Sequence, residues 1–482
     1  MSGKPAHESD TSPVADDATQ DETLDETVQV QQESQAPTSE GPGEGSSASD
    51  AAEQPGEASA SDEADTADNP EKAGKPDEAG APGSAGKPGP KGTSRRAMFT
   101  GAGLGAALAG LAGVAGGRAW EASRRPEDAI LTTYPFRGDH QAGITTPAQD
   151  NMFTAAFDVS TTDVEELKTL LSDWAVAAEQ MTAGELIGGQ PSSNKQLPPK
   201  DTGEAWGYKP NGLTITFGVG KGLFVDADGK DRFGLAAKMP AVLKEGMPSF
   251  AGDQLHAAQS DGDLLIQACS NDAQVCVHAI RNLTRIAFGT AALRWSQVGY
   301  GRTSSTSVDQ ETPRNLFGFK DGTNNIKAED STDQLNKHLW VQKGDDAAAE
   351  WMTGGTYYVA RRIRMLAEIW DRLRLIEQEQ TMGRDKRYGA PLSIANPTKA
   401  SEEFTAVDYK AKDDKGETLV PADAHIAVVS PEQNQGRRML RRGYNYTDGS
   451  DSLGLLQTGL FFIAFVRDPR TNFYPILDRM TK

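Results

Sequence analysis

The strongest constraint on the fold is an alternation of short apolar runs with amphipathic segments between residues 152 and 298. A strand is predicted at 152–159 and a helix at 162–181, because Val164, Leu167 and Leu170 fall on one helical face. The remaining predicted elements are strands at 213–219, 264–269 and 291–298 and a helix at 272–286. The order is therefore β-α-β-β-α-β.

That order is typical of the ferredoxin-like unit, an antiparallel sheet with helices packed on one side. A second copy is predicted from a strand at 356–365, a helix at 368–380, an apolar strand at 460–466 and a last helix at 471–480. No strand follows Lys482, so the second unit lacks its final strand. We predict an α+β protein of two ferredoxin-like domains with antiparallel sheets, at 126–310 and 311–482, of the dimeric α+β barrel type.

The acidic charge is concentrated at the N-terminus. Residues 1–94 carry 21 Asp or Glu against 5 Lys, which accounts for −16 of the net charge of −20. Residues 1–93 also lack aromatic side chains and a periodic apolar face, so we predict a disordered acidic tail, either a solubilising leader or an interaction arm. The rest of the chain is nearly neutral and has no basic stripe, so no nucleic-acid partner is expected.

An export signal is predicted at 94–120. Arg95 and Arg96 precede Phe99 and an uncharged run at 101–117 that is rich in Gly, Ala and Leu. That run is shorter than the roughly 20 residues that span a bilayer. The segment resembles a twin-arginine signal, so we expect the twin-arginine export machinery as a partner and a periplasmic or extracellular location. An uncleaved N-terminal anchor is the alternative, because no clear Ala-x-Ala cleavage site follows.

Only two cysteines are present, which excludes a disulfide framework and a Cys-rich metal site. Cys269 and Cys276 lie at the end of a predicted strand and in the first turn of the next helix. We predict buried free thiols there, with a disulfide as the alternative.

Three motifs carry residues suited to chemistry. Asp321 lies in the Gly-flanked segment 315–325, His425 follows Ala424 in a mostly apolar stretch, and Arg441 opens the Arg-Arg-Gly of 439–446. Taken alone, the first is an ordinary Asp-Gly turn and the histidine a structural one. Together they resemble the dye-decolourising (DyP-type) peroxidases, in particular the exported deferrochelatase/peroxidase-like subgroup, over about residues 130–482.

The resemblance implies haem b bound in the second domain. His425 then matches the proximal iron ligand, Asp321 the distal carboxylate and Arg441 the distal arginine. The residues that match the lining of the haem edge are Gly322, Thr323 and Asn324. The implied partners are hydrogen peroxide and a bulky aromatic reductant, such as a dye or a phenolic compound, oxidised through a ferryl intermediate. A homodimer is compatible with this family.

The residue types fit that chemistry. Cleaving peroxide requires a base that moves a proton between its two oxygens, and a cation that stabilises charge on the departing oxygen. An aspartate, with an ordinary pKa of about 3.9, stays ionised in mild acid where a histidine at about 6.5 does not. We therefore expect an acidic activity optimum. Trp340, Trp351 and Trp370 are candidate electron relays to large reductants, although a core role is the simpler interpretation for each.

Some residues depart from the family pattern. The basic residues usually found after the proximal histidine are absent, so Arg362 or Arg364 is expected to hold a haem propionate instead. Asp423 is a candidate acceptor for the second ring nitrogen of His425, with a surface carboxylate as the alternative. Relatives continue past the last helix into a further strand. We expect that this chain is truncated or that a partner completes its sheet.

Two other functions need the same pocket. One is a deferrochelatase, which removes iron from haem and leaves the porphyrin intact. The other is a haem carrier without catalysis. Among the three, only a peroxidase requires Asp321 and Arg441 together.

Overall fold

The computed structural model describes residues 129–189 and 194–482. The predicted acidic tail and export signal lie outside the described residues. Within the described part, no helix is long and apolar enough to cross a membrane.

The first half forms the predicted β-α-β-β-α-β unit. Its main elements are β1 (Asn151–Val159), α1 (Val164–Thr182), β2 (Thr214–Val219), α2 (Ala241–Glu245), β3 (Leu264–Ser270), α3 (Ala273–Ile286) and β4 (Ala291–Arg302). The strands are antiparallel in the order β2-β3-β1-β4, as in a ferredoxin-like sheet. Both long helices begin at an aspartate, Asp163 or Asp272, whose side chain accepts a backbone N–H of the first turn.

The second half repeats part of this order. Its elements are α4 (Thr332–His338), β5 (Tyr357–Arg364), α5 (Ala367–Trp370), α6 (Leu375–Met382), α7 (His425–Val428), β6 (Leu440–Arg441), β7 (Tyr444–Ser450), β8 (Leu456–Val466), α8 (Pro469–Asn472) and α9 (Tyr474–Met480). The strand order is β7-β8-β5, and β6 also pairs with β8. Within the described chain no strand pairs with the other edge of β5.

The two halves share one sheet. β4 pairs with β7 through Tyr300 with Asn445 and Arg302 with Tyr444, which gives eight strands in a single antiparallel sheet. The predicted α+β class with ferredoxin-like units is therefore confirmed, although two separate sheets were expected. The domain limits at 126–310 and 311–482 stay predictions.

The side chain of Arg442 also joins the halves. Its side chain is fully buried and donates to the carbonyls of Ile144 and Thr146, to Gln149 and to the hydroxyl of Thr306. No carboxylate pairs with it among the described residues. Hydrogen bonds to a buried charge are worth about 1.5–3 kcal/mol each, so this arginine ties the second half firmly to the first.

Two predicted helices are each divided into two in the structure. The helix expected at 368–380 is two helices, α5 and α6, because the Gln378 side chain donates to the carbonyls of Trp370 and Leu373 where the chain turns between them. The last helix is also divided, at Phe473, just before Pro475, which has no N–H to donate. Strand β7 was not predicted.

Both cysteines are buried free thiols, as predicted. Cys276 lies on α3, where burial raises the pKa of its thiol well above the ordinary value. The thiolate is the reactive form of cysteine, so this residue is inert at neutral pH.

Candidate functional site

Asp321 lies at the end of a tight hairpin. Arg314 and Lys320 form a β-bridge, and the Asn315 N–H donates to the Phe319 carbonyl over 3.0 Å. The Asp321 N–H then donates to the Pro313 carbonyl over 2.9 Å, which fixes the backbone of the carboxylate residue.

Gly322 allows the hairpin to pack closely on the first half. It has a φ of +83°, and a Cβ added there would lie 2.8 Å from the Cα of Ser304. Any other residue would be strained and would push the turn away from Ser304, so the glycine of the Asp-Gly pair is required by contact as well as by conformation.

Arg441 reaches Asp321 from β6. Its Nη1 donates to Asp321 Oδ1 over 2.9 Å, and both side chains are only partly exposed, by 26% and 18%. Asn315 Nδ2 donates to the other oxygen of Asp321 over 3.2 Å. The structure thus brings together the two predicted catalytic residues, which are 120 positions apart in sequence.

His425 is the first residue of α7. The neighbouring side chains of Ala424, Ala427 and Val420 form a small apolar cluster, which fixes this short helix. The imidazole is accessible from an internal cavity and, among the described residues, has no hydrogen-bond partner in the protein. It nevertheless lies deep enough for burial to lower its pKa, with Arg441 and Arg384 adding to the effect and Asp321 opposing it.

One cavity connects these residues. It has a volume of about 2780 Å³ and is lined by Asp321, His425 and Arg441 together with apolar side chains such as Val429 and Met382. It also extends along β5. This space exceeds the roughly 300–1,000 Å³ of ordinary ligand pockets, so even a large ligand beside His425 would fill only part of it.

The predicted edge residues lie at the same wall. Gly322, Thr323 and Asn324 all line the cavity. The hydroxyl of Thr323 donates to Glu403 Oε2 over 3.4 Å, and Glu403 also pairs with Lys320 at 2.6 Å. Glu403 is 4% exposed, so this ion pair fastens the segment after α6 to the Asp321 hairpin in a largely buried position.

Positive charge is concentrated around the pocket. Arg384 lines the cavity and donates to the carbonyls of Gly389 and Glu403, and no carboxylate side chain pairs with it in the described chain. Burial lowers the pKa of its guanidinium. Burial also lowers the pKa of Lys327 to about 8, and the charge of Arg441 contributes. An anionic ligand would relieve this excess of cations.

The expected propionate partners have other roles. Arg362 pairs with Asp448 at 2.9 Å and lies over the ring of Tyr446, while Arg364 pairs with Asp451 at 2.6 Å. Both arginines already have a carboxylate partner, so Arg384 is the better candidate. Sequence reasoning missed Arg384 because nothing in its local sequence marks it as a binding residue.

Asp423 is exposed and makes no hydrogen bond to His425, so the surface interpretation of this carboxylate applies. Trp340 and Trp370 are buried, at 4% and 7% exposure, whereas Trp351 is 49% exposed. Trp370 stacks on Phe317 of the Asp321 hairpin at a centroid distance of 4.3 Å, and Trp340 stacks on His140 at 3.7 Å.

Comparison with known proteins identifies the class. Residues 141–301 match the model of the Dyp-type peroxidase N-terminal domain, and residues 312–482 match that of the C-terminal domain. The chain belongs to the Dyp-type peroxidase family, whose members are haem proteins and peroxidase-class enzymes.

Individual relatives agree with this assignment. The chain is 37% identical to the deferrochelatase of Escherichia coli K12, with 73% of this chain and 80% of the relative covered, and 36% identical to that of Yersinia pseudotuberculosis, with 80% and 87% covered. Among solved structures, it is similar to ferric DtpA from Streptomyces lividans, with a TM-score of 0.65, 35% identity and coverage of 75% and 90%. A DyP-type peroxidase from Streptomyces coelicolor gives a TM-score of 0.66, 35% identity and coverage of 75% and 91%.

The residues present fit a haem. Among the described residues, no protein group bonds to the His425 ring and no carboxylate pairs with Arg384, which leaves a ring nitrogen and a cation available. The walls are largely apolar. No three His, Cys, Asp or Glu side chains of the described residues converge as a metal site, so iron here would need the additional ligands that a porphyrin provides.

Proposed function

We propose that this protein is a peroxidase that uses haem b and hydrogen peroxide to oxidise bulky aromatic reductants, such as dyes or phenolic compounds. The observation that carries the proposal is the Asp321–Arg441 ion pair, which lines the same cavity as His425. An iron-releasing protein or a haem carrier would use the histidine and the apolar walls but has no need for a paired base and cation.

Each residue then has a defined task. When bound, haem supplies the iron centre and the redox capacity that the chain lacks. His425 would hold the iron through its free ring nitrogen, and Arg384 would bind a propionate. Asp321 takes a proton from one peroxide oxygen and returns it to the other, while Arg441 stabilises the negative charge that develops on the leaving oxygen.

The residue type of the base also supports an acidic optimum. Free aspartic acid has a pKa of about 3.9 and free histidine a pKa of about 6.5, so a carboxylate base suits a lower pH than an imidazole base does. We expect dye oxidation to be fastest in mild acid. A rate that peaks near pH 8 would contradict Asp321 as the base.

The direct test is stopped-flow spectroscopy of the haem-loaded protein with peroxide. Asp321→Asn and Arg441→Leu are each expected to slow the change in the Soret band by about 10²–10⁴-fold, the usual contribution of general acid–base catalysis. The matched controls are Asp423→Asn and Arg372→Leu, both exposed positions, which keep the wild-type rate. If both site variants react at the wild-type rate, the assignment is wrong.

Iron release from haem is the second candidate, because relatives at 36–37% identity are named deferrochelatases. It predicts metal-free porphyrin, seen by its fluorescence, when the haem-loaded protein is incubated under reducing conditions without peroxide. If neither porphyrin nor oxidised dye appears, the protein is a haem carrier.

A further inference from the structure

We propose that Asn325 is a positioning residue that sets Arg441 against Asp321. The proposal rests on the proposed function, since it assigns Asn325 a part in the peroxide step. Asn325 is 3% exposed. The Arg438 guanidinium donates to its backbone carbonyl over 3.3 Å, whereas among the described residues its side-chain amide bonds only to backbone groups.

The side chain of Asn325 holds the backbone of Arg441 at two points. Its Oδ1 accepts the Arg441 N–H over 2.8 Å, and its Nδ2 donates to the Arg441 carbonyl over 2.8 Å. The second Nδ2 hydrogen goes to the carbonyl of Ser305 over 3.0 Å. The amide is therefore fully used, and two of its three bonds are to one residue.

Arg441 needs this support because β6 is only two residues long. β8 pairs with β6 on one side, where the N–H of Arg442 donates to the Ile463 carbonyl. In an antiparallel strand, neighbouring residues point their backbone groups to opposite sides. The N–H and C=O of Arg441 therefore face away from β8, and the Asn325 amide occupies the place of a neighbouring strand.

The same residue also fixes the Asp321 turn. The backbone N–H of Asn325 donates to the Gly322 carbonyl over 3.1 Å and closes the turn that follows Asp321. Asn325 thus holds the carboxylate residue through its backbone and the arginine through its side chain. The 2.9 Å contact between Asp321 and Arg441 therefore joins the Asp321 hairpin to β6, and Asn325 is bonded to both.

Asn282 provides a matched control in the first half. It is fully buried on α3, its Oδ1 accepts the Thr202 N–H over 3.1 Å, and its Nδ2 donates to the Thr202 hydroxyl and to the His278 carbonyl. Arg285 also donates to Asn282 Oδ1, over 3.4 Å. Removing the Asn325 amide breaks three hydrogen bonds and removing the Asn282 amide breaks four, so Asn282→Ala should lose at least as much stability to urea as Asn325→Ala.

The first test is structural and needs no haem. Crystal structures of Asn325→Ala and Asn282→Ala are compared for the distance from Arg441 Nη1 to Asp321 Oδ1. We expect this contact to exceed 3.5 Å, the hydrogen-bond limit, only in Asn325→Ala. If Asn325→Ala fails to fold, Asn325→Asp replaces it. The aspartate keeps the shape and the Oδ1 acceptor but places an oxygen where Nδ2 donated to two carbonyls. The distance from Arg441 to Asp321 should again exceed 3.5 Å. An unchanged contact would overturn the proposal.

The second test is kinetic. With haem bound, Asn325→Ala should slow the reaction with peroxide by roughly 100-fold, as displacements of about 1 Å do, and leave the KM for the reductant unchanged. In the Arg441→Leu background it should have no further effect, because the group that it positions is already gone. If the double variant shows the sum of the two losses of rate, expressed as free energies, Asn325 has only a structural role. If Arg441→Leu itself has no effect, the proposed function fails while the structural result still stands.

Discussion

The imidazole of His425 is accessible from the cavity but has a lowered pKa. The ring therefore stays neutral below its ordinary pKa, with a lone pair free to bind a metal. The proposed function requires both His425 and Asp321 in their unprotonated forms, and the lowered pKa of His425 extends this condition into mild acid.

Replacing His425 by glycine tests its role as a ligand. The His425→Gly variant should bind haem weakly, with a shifted Soret band, because it leaves a gap where the ring was. Added imidazole should restore the wild-type spectrum by filling that gap. His256→Gly removes an exposed histidine of the first half that lines the same cavity, and it is the control that should keep normal haem binding. A normal spectrum for His425→Gly without imidazole would show that another residue holds the iron.

The role of a single residue could be predicted from the sequence only where the residue belongs to a motif. Asp321, His425 and Arg441 could be named because each belongs to a recognisable segment. The roles of Arg384 and Asn325 could not be predicted, because they depend on hydrogen bonds to backbone groups elsewhere in the sequence. The carboxylates that pair with Arg362 and Arg364, on β7 and in the loop after it, could not be foreseen because they are far away in sequence. The role of either arginine at a propionate stays a prediction.

Among the elements, α6 and α7 are packed unusually closely. Gly383 ends α6 with a φ of +78°, and a Cβ there would lie 2.6 Å from Cγ1 of Ile426, the residue after His425. The position of the histidine helix thus depends on the absence of a side chain at Gly383.

Gly383→Ala should therefore disturb both stability and haem binding. We expect a loss of about 1–3 kcal/mol in the free energy of unfolding from backbone strain, plus weaker haem binding as α7 is displaced. Gly416→Ala is the control, because Gly416 has a similar φ of +85° but nothing within 4 Å of the added Cβ. Urea unfolding and haem titration measure the two effects. Equal haem affinity in the two variants would contradict the contact argument.

Elements with a clear apolar period were predicted well, including β1, α1 and α3. Strand β7 was not, because Asn, Asp and Gly make its sequence poor in strand-forming residues. It forms nonetheless because Tyr444 and Tyr446, two positions apart, both point into the core. Its pairing with β4 is a tertiary contact that no local pattern reveals.

For the whole molecule, His338 makes stability depend on pH. It is 2% exposed, its Nδ1 accepts from the Asn472 amide, and burial lowers its pKa to about 4, with Lys337 and Arg438 adding to the effect and Asp330 opposing it. The unfolded chain, with a histidine pKa of about 6.5, binds the proton first. The stability from this residue is therefore present above about pH 6.5 and is lost as the pH falls through 4.

The expected loss is about 3 kcal/mol between pH 7 and pH 4. His338→Gln should be less stable than the wild type at pH 7 but should lose less of its stability on acidification. Urea unfolding at several pH values measures this, with the exposed His256→Gln as control. A constant difference in stability between His338→Gln and the wild type at all pH values would exclude the proposed titration.

Export is the remaining property of the whole chain, and we propose that the twin-arginine segment directs it. Arg95→Lys/Arg96→Lys keeps the charge but removes the guanidinium pair, so the protein should stay in the cytoplasm of a host that has the pathway. Arg124→Lys/Arg125→Lys changes a second arginine pair downstream and should be exported normally. Cell fractionation measures the outcome, and export of the first variant would rule out this signal.

The adjacent residues Arg441 and Arg442 have different contacts. Arg442 lies fully buried against the first half, and its neighbour Arg441 pairs with Asp321. Because the Arg442 side chain is anchored to Ile144, Thr146 and Gln149, the backbone of Arg441 next to it is tied to the first half as well. A substitution in the first half that loosens Arg442 should therefore also disturb the Arg441–Asp321 contact, although no residue of the first half belongs to that pair.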